Sequence, residues 1–132
     1  GADLVDADLF LVDDGAGGTL RKTTAVRIKD YIGGGTAWQG VKTGAYTAAA
    51  GQGIFANTSG SAWTLTLPAG TIGDEVAFID YAGTFDSNNL TIAANGSEKI
   101  HGSTDNLTVA TERAANTLVF TDGTQGWLLK NK

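Results

Sequence analysis

From Trp63 onward, apolar residues recur at every second position in short bursts. In "WTLTL" (Trp63 to Leu67) the apolar side chains alternate with threonine, which predicts a strand with one buried face. "EVAFIDY" (Glu75 to Tyr81) is apolar on both faces and predicts a central strand. "LTIAA", "LTVAT", "TLVFT" and "GWLLK" follow, separated by the turn-rich clusters "GTFDSNN", "NGSEKIHGSTDN", "ERAAN" and "DGTQG". Short strands spaced about 8–12 residues apart predict an all-β domain, an antiparallel β-sandwich or barrel-like fold, over 37–132. Its expected core is Trp63, Leu65, Leu67, Phe78, Leu90, Ile92, Leu118, Phe120 and Trp127. Within "NNLTIAANGSEKIHG" the pattern predicts a strand with Leu90, Ile92 and Ala94 inward, an Asn95-Gly96 turn, and a short return strand anchored by Ile100.

The first 36 residues read differently, as a connector. "DLFLVDDGAGGTLRKT" predicts a hairpin, with Leu9 to Val12 as one strand, a glycine-rich turn, and Thr19 to Thr23 as the return. Its first arm is acidic and its second basic, so cross-strand charges attract by ~0.2–1 kcal/mol a pair. "TTAVRIKDYIGGG" predicts a short helix capped by Thr23 or Thr24, with Ala25, Ile28 and Tyr31/Ile32 on one face and Gly33 at its end. A helix this short is marginal alone in water and must pack on something.

Composition narrows the function. A chain of 132 residues suits one domain plus an appendage, and nineteen glycines against one proline fit short strands and tight turns. Only 17% of residues are charged, so the surface is not built to repel neighbours, and an oligomer is expected. The net charge of −5 and the scattered Lys and Arg provide no basic face for displacing counterions, which excludes nucleic acid as a ligand. Without cysteine there is no disulfide, thiolate nucleophile or thiolate metal site. No apolar run approaches the ~20 residues that span a bilayer, and no signal peptide is recognisable, so membrane insertion is not expected. A chain that begins at Gly1 and lacks methionine is expected to be either processed or cut from a longer polypeptide.

Candidate chemistry is sparse. "GQGIFA" (Gly51 to Ala56) has the letters of a dinucleotide-binding turn, but "NTSGSAW" follows where a helix must open. His101, Ser103 and Asp105 are the residue types of a nucleophilic triad, yet they crowd into one loop. One histidine and no cysteine leave zinc dependent on three carboxylates or a neighbouring chain. "DADLFLVDD" lacks the spacing and closing glutamate of a calcium loop. Asp74, Glu75, Asp80, Asp86 and Glu98 lie near tight turns, where acids usually hold backbone N–H groups rather than hydrolyse glycosides. The triplets at Asn57, Asn89, Asn95 and Asn106 arise by alternation in a threonine-rich β-protein.

Two stretches carry a resemblance. "DADLFLVDDGAGGTLRKTTAVRIKDYI" (Asp6 to Ile32) looks like a connector unit that precedes a terminal domain. The second is an ordered series: "GQGIFANTS", "TLTLP", "GDEVAFID", "NNLT", "IHG" and "GW". Together they resemble tail-fibre proteins of tailed bacteriophages, especially those of marine phages, over most of the chain from Asp6 to Leu129. Here the connector meets the terminal domain through "GGGTAW", with no long repetitive shaft. The resemblance implies a homotrimeric, β-rich virion appendage with no cofactor and no catalytic residues. Its partners are other virion proteins, through the connector, and a host surface glycan. The expected glycan contacts are exposed loop groups: Tyr81, Asp86, Asn88, His101, Asp105 and Asn106. A trimeric capsid decoration protein is the alternative, and a polysaccharide depolymerase the third reading.

Overall fold

A computed structural model describes residues 9–13, 20–24 and 35–131, the first two spans as backbone strands. The chain divides between Gly35 and Thr36 into two units. In the first, β1 (Leu9–Asp13) and β2 (Leu20–Thr24) pair antiparallel, with Leu9 opposite Thr24 and Asp13 opposite Leu20. This is the predicted hairpin. Its turn and the short helix expected after it lie outside the described residues.

The second unit is all-β, with no helix among the described residues. Its strands are β3 (Ala37–Trp38), β4 (Tyr46–Thr47), β5 (Gln52–Ala56), β6 (Trp63–Thr66), β7 (Glu75–Asp80), β8 (Leu90–Ala93), β9 (Leu107–Val109), β10 (Ala115–Phe120) and β11 (Trp127–Leu129). They form a five-stranded sheet in the order β11-β10-β7-β5-β3 and a four-stranded sheet in the order β4-β6-β8-β9. From β3 to β8 the chain alternates between the two sheets, so each strand lies parallel to the one before it in its own sheet. Only β9, β10 and β11 reverse direction, and they close the chain with antiparallel pairs.

The expected antiparallel arrangement is therefore corrected to two mixed sheets. Period-two patterning specifies which face of a strand is buried, not the direction of its neighbour. Buried parallel sheets usually carry helices on both faces and read as continuous apolar runs. Here each crossover runs through the opposite sheet, so β6 and β8 keep one polar face despite parallel pairing. The predicted return strand at Ile100 shrinks to a single buried residue that bridges Ser103 and Trp127. The partner that returns along β8 is β9, with Ile92 opposite Leu107.

The two sheets share one apolar core. Trp63 and Leu65 from β6, Leu67 just beyond it, Phe78, Leu90, Ile92, Leu118, Phe120 and Trp127 are all buried in it, as expected from alternation. Ile54, Val76 and Phe85 complete its largest members. β7 is the middle strand of its sheet, which explains its apolar character on both faces. Val76 and Phe78 enter the core, while Ala77 is buried outside the core cluster.

Candidate functional site

The six expected contact residues fall at two corners, separated by the length of β8. Tyr81, Asp86 and Asn88 precede that strand, and His101, Asp105 and Asn106 follow it. The structure therefore makes two loop clusters rather than one.

The first corner is organised by Asp80, the last residue of β7 and only 1% exposed. Its Oδ1 accepts from the backbone N–H of Gly83 (2.9 Å) and Thr84 (3.1 Å), and its Oδ2 from Phe85 (3.1 Å) and Arg113 (2.9 Å). Burial pushes the carboxyl up, but the four N–H groups outweigh it and hold the group below its ordinary value. Arg113 sits at a left-handed φ of 61° and donates from Nη1 to the Tyr81 carbonyl at 2.9 Å, closing the loop from outside. From the core side Phe85 is fully buried, its ring centroid 6.5 Å from that of Phe78.

A second set of bonds ties this loop to the preceding corner. Thr58, fully buried, shares a hydroxyl hydrogen bond with Thr84 at 2.8 Å. The Asn88 amide donates to the Thr58 carbonyl at 2.8 Å, and Trp63 Nε1 donates to the Asn57 carbonyl at 2.9 Å. Asn88 is thus half-buried with its amide engaged. Asp86 is exposed, and Tyr81 keeps 50% of its surface in water. Of this group, those two are the side chains the corner presents outward.

The second corner is held by Glu98 and the "GW" pair. Glu98 accepts from the Gly70 N–H with Oε1 (3.0 Å) and Oε2 (3.2 Å), and Trp127 Nε1 approaches Oε2 at 3.4 Å. Gly126 has φ 73°, and a Cβ there would strike the Lys99 carbonyl, so no side chain fits before the fully buried Trp127. His101 is exposed with φ 52°, and its Nε2 lies 3.4 Å from the Leu129 N–H. Ser103 Oγ accepts from the Asp105 N–H at 3.1 Å. His101 and Ser103 thus each meet a backbone N–H rather than each other, the opposite of a nucleophile paired with its base. Asp105 and Asn106 are exposed beside them. Replacing His101 by alanine is expected to change the unfolding free energy by within about 0.5 kcal/mol, because the residue is exposed and its one side-chain bond is long. Urea titration of parent and variant checks this.

A third feature was not singled out from the sequence. Trp38 is 44% exposed on the outer face of the five-stranded sheet. Its ring stacks on Phe55 with centroids 4.8 Å apart at 26°, and it lies over Gly53, where a Cβ would collide with the indole. Gly53 therefore serves to seat Trp38, which explains part of "GQGIFA"; β5 and a bend at Ser59–Gly60 occupy the place of the helix a dinucleotide site needs. Beside Trp38 is a shallow cavity of about 240 Å³ reaching across Ala77 and Thr117 to Asn131. The strand register makes this legible, since Trp38, Gly53, Ala77 and Thr117 form one row across four strands.

A larger cavity, about 380 Å³, is lined mainly by Phe78, Leu107, Val109, Ala114 and Leu129. Its described lining holds no titratable side chain. Among the described residues no group of three His, Asp or Glu is placed to hold a metal. Comparison of the chain with models of known protein families and with curated proteins finds no match.

Proposed function

We propose that this chain is a structural, adhesive component of a bacteriophage virion, a tail fibre or similar appendage. It works as a homotrimer at the particle surface and performs no catalysis. In this reading the two sheets form a β-sandwich, the N-terminal connector joins other virion proteins, and the outer surface of the sandwich meets a host surface glycan.

One observation supports the reading most. The residues of the fibre-like motif series are the ones spent on building the corners. Asp80, which ends "GDEVAFID", satisfies four backbone donors; Thr58 of "NTS" and Asn88 of "NNLT" bind each other's loops; Gly126 and Trp127 lock the last turn. A motif series made of structural nodes is what a scaffold needs.

Light scattering on the purified chain tests the assembly. The expected mass is three times 13.5 kDa. A stable folded monomer at micromolar concentration sinks the trimer and weakens the virion reading with it. Antibody labelling of particles on a grid tests the location; label confined to cell lysate and absent from particles rejects it.

A further inference from the structure

We infer that the cavity beside Trp38 is a subsite for one neutral pyranose ring of a polysaccharide, with the indole as its stacking plane. The inference rests on the adhesive reading and specifies its ligand class and its place, which is the outer sheet face rather than the loops.

The indole is exposed yet fixed. Phe55 stacks against it and its six-membered ring crowds Gly53, so its position is set before any ligand arrives, while 44% of the residue stays in water and it lines the cavity. A preset aromatic face loses little entropy on binding. The negative face of an aromatic ring attracts the slightly positive C–H groups on the flat side of a sugar. Hydroxyls at the sugar's edge then need donors and acceptors, and the rim supplies both in Thr36, Thr117 and Asn131. Asn131 is held in place by Asn116, whose Oδ1 accepts from the Thr117 N–H (2.7 Å) and the Asn131 N–H (3.0 Å) and whose amide donates to the Asn131 carbonyl.

Size and charge narrow the ligand. At about 240 Å³ the cavity is below the ~300–1,000 Å³ of sites for drug-sized molecules, so it suits a single ring of a longer chain. Its described lining carries no charged side chain, and the chain's net charge of −5 disfavours a polyanion. The same sheet face carries the Glu75–Lys130 ion pair at 3.2 Å, both groups about half exposed. Charged residues are depleted from the centres of protein interfaces. An amphipathic ring therefore fits this face better than a second protein does.

The test is an NMR titration of the full chain with neutral tetrasaccharides of glucose, galactose and N-acetylglucosamine. The indole N–H signals of the chain's three tryptophans are followed, and Trp38 is assigned by its loss in Trp38→Ala. The expected result is selective movement of the Trp38 signal by at least one sugar, with Trp38→Ala about tenfold weaker or more. Gly53→Ala should weaken binding in parallel, by displacing the ring, and Trp38→Phe should recover part of it. Unchanged thermal unfolding of Trp38→Ala separates lost binding from lost fold. Binding that leaves the Trp38 signal still and survives Trp38→Ala overturns the subsite but leaves the adhesive reading standing. Attachment to host cells without binding any of the three sugars overturns the neutral-pyranose assignment alone. Failure of both attachment and sugar binding overturns both readings. A Trp38→Ala variant that loses its oligomeric state instead of sugar binding overturns the subsite and makes this face an interface between copies.

Discussion

Asp80→Ala is expected to destabilise the second unit by roughly 3–5 kcal/mol. Four backbone N–H groups lose their only side-chain acceptor, and a buried donor left unsatisfied costs about 1–3 kcal/mol. The total stays below the sum because the bonds to Gly83, Thr84 and Arg113 are only partly buried and water replaces some of what is lost, whereas the bond to Phe85 is buried. Asp80→Asn is nearly isosteric but should not rescue the fold. Donors face both oxygens of the native carboxylate, so an NH2 group must meet an N–H whichever way the amide turns. A urea midpoint for Asp80→Asn equal to the parent's would show that the carboxylate is not what holds this corner.

The same geometry fixes a pH dependence and its sign. The folded-state pKa of Asp80 is lowered, since burial raises it but the backbone N–H bonds more than offset that. The folded chain therefore binds the proton less readily than the unfolded chain does. The stabilisation is fully present above the unfolded value of about 3.9 and is lost as pH falls below it through the lower folded value. The stability gap between parent and Asp80→Ala should accordingly be constant near neutrality and narrow only in acid. A gap that narrowed instead as the pH rose above neutrality would contradict the assignment.

Alternation in "WTLTL" and "LTIAA" reports burial directly, because a strand turns successive side chains to opposite faces. The expected core residues are buried for that reason. Strand partners were not legible. A coil between two sheets would announce itself by a fixed repeat, but the interval from Ala37 to its partner Gln52 differs from that between Gly53 and Ala77. β3 and β4 are two residues each, too short to show any period. At the first corner, an aspartate before "YAGTF" reads as a turn acid, yet the Arg113 N–H reaches it from across the fold, and that depends on the register of β10 against β7. Asn88 is half-buried, and the bond from its amide to Thr58 depends on how two corners meet, which local sequence does not report. Trp38 carries no local signal in the sequence, because its partner, Gly53, is identified only once β3 is known to run parallel to β5.

Phe78→Ala carries the other large expected effect and tests that register directly. Phe78 is 2% exposed on the middle strand of its sheet, with its ring near Phe85. Removing a buried aromatic side chain costs about 3–5 kcal/mol through lost transfer energy and the void left behind. Phe78 already lines the 380 Å³ cavity between β9 and the β10–β11 pair, so its deletion enlarges an existing space. Ile79, the next residue on β7, provides the control. It is half-buried and lies outside the core cluster, so its truncation leaves no closed cavity and should cost about 1–2 kcal/mol, the value of a partly buried apolar side chain. Urea unfolding of both variants distinguishes the two faces of the strand. If Ile79→Ala proves the more damaging, β7 is turned over, the Phe78–Phe85 contact is lost, and Asp80 can no longer reach the four N–H groups that define the corner.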